Sequence, residues 1–466
     1  MSQYNDGVHR TLRDSDFEPL GEQSTTPLLV RPSRSYWQDA WIRLKANRRA
    51  LVSLYLVIGL LLFTFIGPMI WRVDPALQDV DQISIAPGAD RSALVAEAYE
   101  PWVNGQVEPD FAGGSGLRLA AEPTTLRVRL LWDPMPGADN YRVYRNNYPI
   151  DDPQALGIPL ADITRDSVYW YEDRLDLRAR DYYYAVVVLD ELGQPTDQFE
   201  TVEVNVGRVI TAVEARNRGL VGAGESLPVG DEVMMPWHPL GTDYLGRDML
   251  ARLMAGARVS LFIGLLAPLL YVVIGVVYGA SAGFLGGKAD QVMMRFADFV
   301  VALPFLLFMI LFQVVFGIGP GESGIVPMLI ALVVLLWPAT ARLVRGQILQ
   351  IREEAYVSAA KLLGASHHYL ILRHMIPNTL GVILVTLTFA VPSAIFTEAF
   401  LSFIGMGVAP PTASWGSMCN EGLKNMLTHP HELVFPAAMI SITVLAFNLL
   451  GDGLRDALDA KMRSAE

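Results

Sequence analysis

Residues 50–71, ALVSLYLVIGLLLFTFIGPMIW, run from end to end without a charged side chain. At 1.5 Å per residue a helix of that length crosses a hydrocarbon layer of ~30 Å. Five more apolar runs follow, at about 258–282, 296–316, 325–343, 380–402 and 433–451. Inside lipid every backbone N–H and C=O must find its partner within the segment, so such runs are helices. The expected fold class is therefore an all-α polytopic membrane protein with six transmembrane helices. A hydrophobic share of 52% fits that class.

Charge sets the expected orientation. Arg43, Lys45, Arg48 and Arg49 precede the first run, and with six crossings the further basic clusters fall on the same side. These are Lys288 and Arg295 in 283–295, Arg345, Arg352, Lys361 and Arg373 in 344–379, and Arg455, Lys461 and Arg463 at the end. The opposite loops hold almost no positive charge: 317–324 has none and 403–432 only Lys424. The positive-inside rule then predicts both termini cytoplasmic and residues 72–257 mostly on the outer side. Residues 1–35 read as a disordered cytoplasmic tail without a cleavable signal peptide, and 36–73 as an amphipathic lead-in followed by the first span. Trp37, Trp41 and Trp71 suit the two interfaces.

The net charge of −12 is unevenly placed. Residues 74–236 carry 28 acidic side chains against 13 arginines, a net of −15, which argues against a nucleic-acid partner. The single cysteine, Cys419, excludes an intrachain disulfide framework. Within the acidic segment, Leu126-Val128-Leu130 and Tyr141-Val143 alternate with period two around a Pro136-Gly137 turn, and further β-rich runs follow to about 206. The pattern W-D-P-x-P-G-A-x-x-Y-x-V-Y-R at 132–145, with Tyr182-Tyr183-Tyr184-Ala185-Val186, resembles a fibronectin type III module over 116–206. The expectation is an inserted small β-sandwich flanked by irregular arms at 74–115 and 207–236.

Residues 351–380 form a polar interruption between two apolar runs. Their composition predicts a helix, a turn at Gly364 and a second helix stopped near Pro377. Before the second run, His238–Leu261 predicts a helix capped by Asp243 or Thr242 and lying at the outer surface. Leu245, Met249, Leu250, Leu253 and Met254 share one side, with Arg247, Arg252 and Arg258 near head groups.

The wording of 238–261, and of LAFNLLGDGLRDALD at 445–459, is similar to the C-type permease subunit of oligopeptide/dipeptide ATP-binding-cassette importers. The resemblance covers 35–75 and 237–466. In that family a cytoplasmic docking loop reads E-A-A, three residues, G, nine residues, I-x-L-P. Here Ala359, Ala360, Gly364 and Pro377 are in register, whereas Ser358 replaces Glu, His374 replaces Ile and Ile376 replaces Leu. The resemblance implies a type I importer permease core over 237–466, with Ser358, Ala359, Ala360, Gly364, Ala365, His374 and Pro377 meeting an ATPase. It also implies a second homologous permease subunit, two ABC ATPase subunits holding ATP and Mg, an extracytoplasmic solute-binding protein and a peptide substrate, within a lipid bilayer. No cofactor and no catalysis are expected in this chain.

Several local patterns carry less. Ala282–Ala289, AGFLGGKA, lacks the first Gly and the final Ser/Thr of a phosphate loop and reads as a cytoplasmic turn. His367, His368 and His374 read as surface residues facing a partner, and His429-Pro430-His431-Glu432 lacks the second His of a metalloprotease helix. Glu398 is the clearest ionisable group at membrane depth. Its default place is the translocation path, with interfacial snorkelling or a structural hydrogen bond as the alternative. Trp415 is expected on a re-entrant or surface helix at the pore mouth. Asp298, Asn448 and Asp452 read as caps and interface contacts, and Pro304, Pro338 and Pro392 as kinks. The alternative function from another class is a polytopic receptor or adhesion protein that binds a partner through the sandwich. A secondary transporter would be expected to show internal repeats with broken helices, which the chain does not clearly show.

Overall fold

The computed structural model describes residues 36–458 apart from 104, 139, 153–155, 165–168, 223–224, 317–322 and 410. The expected tail at 1–35, most of the 317–324 loop, the Trp37 side chain, Lys461 and Arg463 lie outside the described residues. The chain starts with α1 (Tyr36–Ala46) and α2 (Arg48–Phe65), then the short α3 (Gly67–Ile70). Asn47 separates the first two because its side chain accepts from the Arg49 and Ala50 amides, capping α2.

The insertion follows. Strands β1 (Ser92–Ala96), β2 (Arg118–Leu119), β3 (Val128–Leu131), β4 (Asn140–Asn146), β5 (Pro159–Thr164) and β6 (Trp170–Asp173) precede β7 (Asp181–Leu189) and β8 (Pro195–Asn205). A three-stranded sheet β2-β3-β6 and a four-stranded sheet β5-β4-β7-β8 form, antiparallel throughout. Both contribute to one core: Val128, Leu130 and Trp132 meet Tyr141, Val143, Tyr184 and Val186. The period-two alternation is the cause, since it turns one side of each strand inward. The Tyr182 hydroxyl accepts from the Arg178 amide at 3.0 Å, tying the start of β7 to the preceding corner.

The flanking arms are not irregular. β9 (Val209–Thr211) pairs in parallel with β1, and β10 (Glu232–Met234) pairs antiparallel with it, making a third sheet beside α4 (Ala212–Asn217). Short strands this far apart in sequence leave no local signal, so only the closed chain reveals them. Residues 79–86 then fasten the insertion to the helical body. Ser84 N donates to Asp243 O at 2.8 Å, Ile85 N to Thr242 Oγ1 at 2.8 Å, and Thr242 N to Ile85 O at 3.0 Å. Gly246, at φ +74°, lies so close to the Asp79 backbone that a Cβ would strike it.

Helix α5 (Met249–Leu285) is a single 37-residue element, longer than the expected 258–282 span. It is not the surface helix expected from residue 243. Asp243 is consumed by the amides of Leu245 and Arg247, both at 2.9 Å, so Asp248 becomes the cap and accepts from Ala251 N at 2.6 Å. The expected third span is also corrected: α6 (Gly287–Ala302) and α7 (Phe305–Val315) meet at 82°. Pro304 lacks an N–H and drives Leu303 to ψ 126°, which ends α6.

Then come α8 (Ile325–Arg352), α9 (Ala355–Leu362), α10 (His367–Leu370), α11 (Ile376–Phe403), α12 (Trp415–Leu423) and α13 (His431–Leu458). Among the described residues five helices are long and apolar enough to cross a membrane, or six with the bent pair as one span. Helices α5 and α8 lie close because Gly275 and Gly279 face the Trp337 and Ala341 carbonyls with no room for a Cβ.

Candidate docking site

The polar interruption at 351–380 is a hairpin of short helices resting on the helical body. Ala and Leu drive α9, and Gly364, at φ +86°, reverses the chain where other residues resist. Ala365 N then donates back to Ala360 O at 3.1 Å. Ser366 starts α10 by accepting from the Tyr369 amide at 3.3 Å. Pro377 does not stop the second helix as expected. Residues Ile371–Met375 form a π-helical turn that leads directly into α11, with Pro377 in the first turn of that helix. A proline there lacks only a donor that the wider turn leaves free.

The underside of the hairpin is apolar. Val357 and Met375 enter the core built by α5, α6, α8 and α11, and Leu370 is fully buried. Two polar links reinforce this seat. Arg345 grips Asp290 of α6 with both guanidinium arms at 2.5 Å, and Arg352 donates to Gly283 O at 3.4 Å. The Phe284 and His367 rings meet at 5.0 Å, joining the α5–α6 turn to α10.

The outer surface is mixed, with Lys361, His367, His368 and Arg373 exposed around a bare apolar pair. Leu362 and Leu363 are 90% and 89% exposed, flanked by exposed Tyr356, Tyr369 and Leu372. Of the residues singled out by pattern, Ser358, Ala359, Gly364 and Pro377 are exposed, and Ala360, Ala365 and His374 half-buried. His374 stands edge-on to Tyr369 at 5.4 Å between ring centroids and lies near Tyr356, whose hydroxyl accepts from Asn378 at 2.8 Å. A bare leucine pair exposed on a rigid hairpin is a surface that gains by being covered. Leu362 and Leu363 lie outside the docking-loop pattern. Their signal was two large apolar residues directly before the turn glycine.

Glu398 and Trp415, the other two candidates, come together at the insertion end of the bundle, and neither is open to solvent. Glu398 is fully buried, with Ser402 Oγ donating to Oε1 at 2.8 Å and the Ser260 and Ser414 hydroxyls nearby. Trp415 is fully buried too: its indole N–H donates to Leu253 O at 3.0 Å and its amide to Ser260 Oγ at 3.3 Å. Helix α12 is therefore a core element and not a surface helix. Gly416 and Gly422 let it press onto the backbones of Ala399 and Glu432.

Arg247 and Arg252 are corrected as well. Instead of reaching head groups they are buried with Asp243 and meet the half-buried Glu421. Arg247 reaches Asp243 at 2.7 Å and Glu421 at 3.0 Å, while Arg252 reaches Glu421 at 2.7 Å and also touches Asp243. Two carboxylates and two guanidinium groups cancel in charge and satisfy one another, which offsets the cost of removing each from water. The network joins α5 to α12 beneath the 79–86 strap. Nothing in the sequence pattern indicates that pairing, because Glu421 is far away along the chain.

Two family models match this chain. "Binding-protein-dependent transport system inner membrane component" covers residues 275–464, and "N-terminal TM domain of oligopeptide transport permease C" covers 35–87. The oligopeptide transport permease OppC of Bacillus subtilis is 49% identical over 226 residues, 48% of this chain and 72% of the relative. DppC, the dipeptide permease of the same organism, is 49% identical over 48% of this chain and 69% of its own length. GsiD, a glutathione transport permease of Escherichia coli, is 43% identical over 48% and 73% respectively. A solved inward-facing MetNI methionine ABC transporter superposes on 45% of this chain, at 18% identity and a TM-score of 0.37.

The chain belongs to the binding-protein-dependent ABC importer permeases, in the OppC/DppC group. It is a multi-pass membrane transport subunit of an ATP-driven importer and not an enzyme, and separate ATPase subunits hydrolyse the ATP. Permeases of this kind work with ATPase and binding-protein partners. The matches give the receptor or adhesion reading no support. Most of the insertion, from 88 to 236, lies between the two matched segments.

Proposed function

We propose that this chain moves oligopeptides or dipeptides across the inner membrane by alternating access, driven through the 344–379 docking loop. The observation that carries the reading is the contrast within the hairpin: Val357 and Met375 are set in the helical core while Leu362 and Leu363 stand free. A partner cleft closing on the leucine pair moves the whole core, because close-packed interiors transmit displacement. Ser358, Ala359, Ala360, Gly364 and Ala365 form the contact edge, small enough for close approach, and His374 and Pro377 shape the return. Peptide as cargo is supported by the OppC and DppC relatives, which are oligopeptide and dipeptide transport permeases.

The full assembly is one further homologous permease, two ATPases carrying ATP and Mg, and a solute-binding protein. Both termini are cytoplasmic and residues 72–257 mostly periplasmic, as the basic clusters favour. Residues 116–206 are a fibronectin type III-like sandwich, supported by the 3-on-4 strand arrangement and the Tyr182 corner bond. The insertion orients the incoming binding protein. Glu398 and Trp415 act beside the translocation path by locking α11 and α12 together, and do not line an open channel.

The test is co-purification and transport. Leu362→Asp with Leu363→Asp should lose the ATPases and abolish ATP-dependent peptide uptake in proteoliposomes while the permease stays folded. Uptake that persists in the double variant overturns the docking reading. Removing residues 88–236 and finding unchanged uptake and binding-protein affinity removes the insertion's orienting role.

A further inference from the structure

The insertion is acidic overall, yet the cleft where it meets the helical body is lined by cations. Two cavities, about 460 Å³ and about 900 Å³, share a wall made of Ile83, Ser84, Asp176, Arg178 and Arg180. The first runs under the insertion to Arg174 and Arg208, and the second opens onto Tyr244, Asn425, Thr428 and His429 of the permease loops. Both volumes fall in the usual ~300–1,000 Å³ range of small-ligand sites.

The acidic groups on these walls are already committed. Asp81 and Glu214 are both held by Arg218. Asp181 accepts from the Asn205 amide at 2.6 Å, and Asp176 pairs with Arg178 at 3.2 Å. Several cations are not matched in this way. Arg145 is bound to Asp173 at 2.7 Å, but the Arg180 side chain has no hydrogen bond or ion pair among the described residues. Among the described residues Arg208 donates only to the Asp90 backbone carbonyl at 3.0 Å, and Arg174 lies on the Tyr99 ring at 3.6 Å. Burial draws Arg208 below the usual guanidinium range, against the pull of Asp90 and Asp79. Uncompensated guanidinium groups in a concave site suit a planar carboxylate.

We propose that this cleft is a binding site for the carboxylate of a short peptide, with Arg180 and Arg208 as the recognising cations and the Tyr244 and Asn425–His429 side as the face turned toward the permease. Peptide as the ligand class rests on the peptide-import reading, whereas the carboxylate site rests on the cleft alone. Guanidinium–carboxylate recognition is short-ranged and bidentate, so it operates within a segment whose overall charge is negative. The cleft lies on the insertion side of the 79–86 strap, and a ligand there would sit beside the helix ends that carry the Asp243–Arg252–Glu421 network.

The test is titration calorimetry on the assembled transporter in nanodiscs without its binding protein, with trialanine and trialanine amide as probes. Trialanine should bind, its amide about tenfold or more weakly, and R180Q should lose about the same factor for trialanine only. Arg180 has no side-chain partner to orphan among the described residues, so R180Q should keep the parent unfolding temperature. R142Q, on β4 and outside the lining of both cavities, should bind as the parent does. Equal binding of the amide, an R180Q variant with parent affinity, or no heat at millimolar trialanine overturns the proposal. So does an R180Q variant that loses only association with the purified binding protein, since the cleft would then be a protein contact. ATP-driven peptide uptake by the same R180Q transporter reads the import function separately. Continued uptake alongside failed binding leaves import standing and sinks the cleft.

Discussion

The docking hairpin and the insertion are both additions to a helical bundle, and they are attached by opposite means. The hairpin is seated by apolar side chains, Val357, Leu370 and Met375, and offers apolar side chains outward. The insertion is fastened by backbone bonds from Ser84 and Ile85 to Asp243 and Thr242, in a loop that the Asp243–Arg247–Arg252–Glu421 network holds in place, and by glycines pressed against carbonyls. An apolar seat is non-directional and tolerates small sliding as partners close. A network of charged hydrogen bonds is directional and fails when one member is removed. The end that must move is thus greased, while the end that must hold its orientation is pinned.

The sharpest way to break the comparison is at the pinned end. Asp243→Asn should cost about 3–5 kcal/mol, since Arg247 and Arg252 are left buried with only Glu421. A fall in thermal unfolding temperature, with faster proteolysis of the insertion, measures it. At the seated end, Val357→Ala should cost only about 2 kcal/mol, the lost methyl burial plus a small cavity, and should loosen ATPase coupling before it unfolds the chain. Coupled ATPase activity against unfolding temperature separates the two effects. Gly364→Ala meets no neighbouring atom within 4 Å, so its penalty is the strain of φ +86° alone, about 1–2 kcal/mol. Weaker ATPase retention without global unfolding is the expected result. The exposed Arg142–Asp162 pair should contribute under about 1 kcal/mol, and R142Q should leave the unfolding temperature nearly unchanged.

His429 adds a pH axis at the seam. Burial, with the charges of Arg180, His431 and Arg178 behind it, holds its imidazole below the usual range, although Glu432 pulls the other way. The folded state therefore favours neutral His429. Its contribution to stability is present above the ordinary value of ~6.5 and is lost as pH falls through the depressed folded value. NMR titration should place His429 below ~6.5, and R180Q should move it upward. An unshifted titration in that variant would separate Arg180 from the seam.

Much of this protein is legible in one dimension. Uncharged runs such as 50–71 determine helices because lipid offers the backbone no other partner, and period-two alternation at 126–130 and 141–143 determines strands. The turn at Gly364 was readable for the same local reason. What only the tertiary structure decided involves partners distant in sequence: β1 beside β9, Glu421 beside Arg252, the π-helical passage through Pro377, and the burial of Glu398 and Trp415. Backbone periodicity and solvation act within a few residues and can be read along the chain. Whether a charge is buried or bare depends on which other segment reaches it, and only the closed fold settles that.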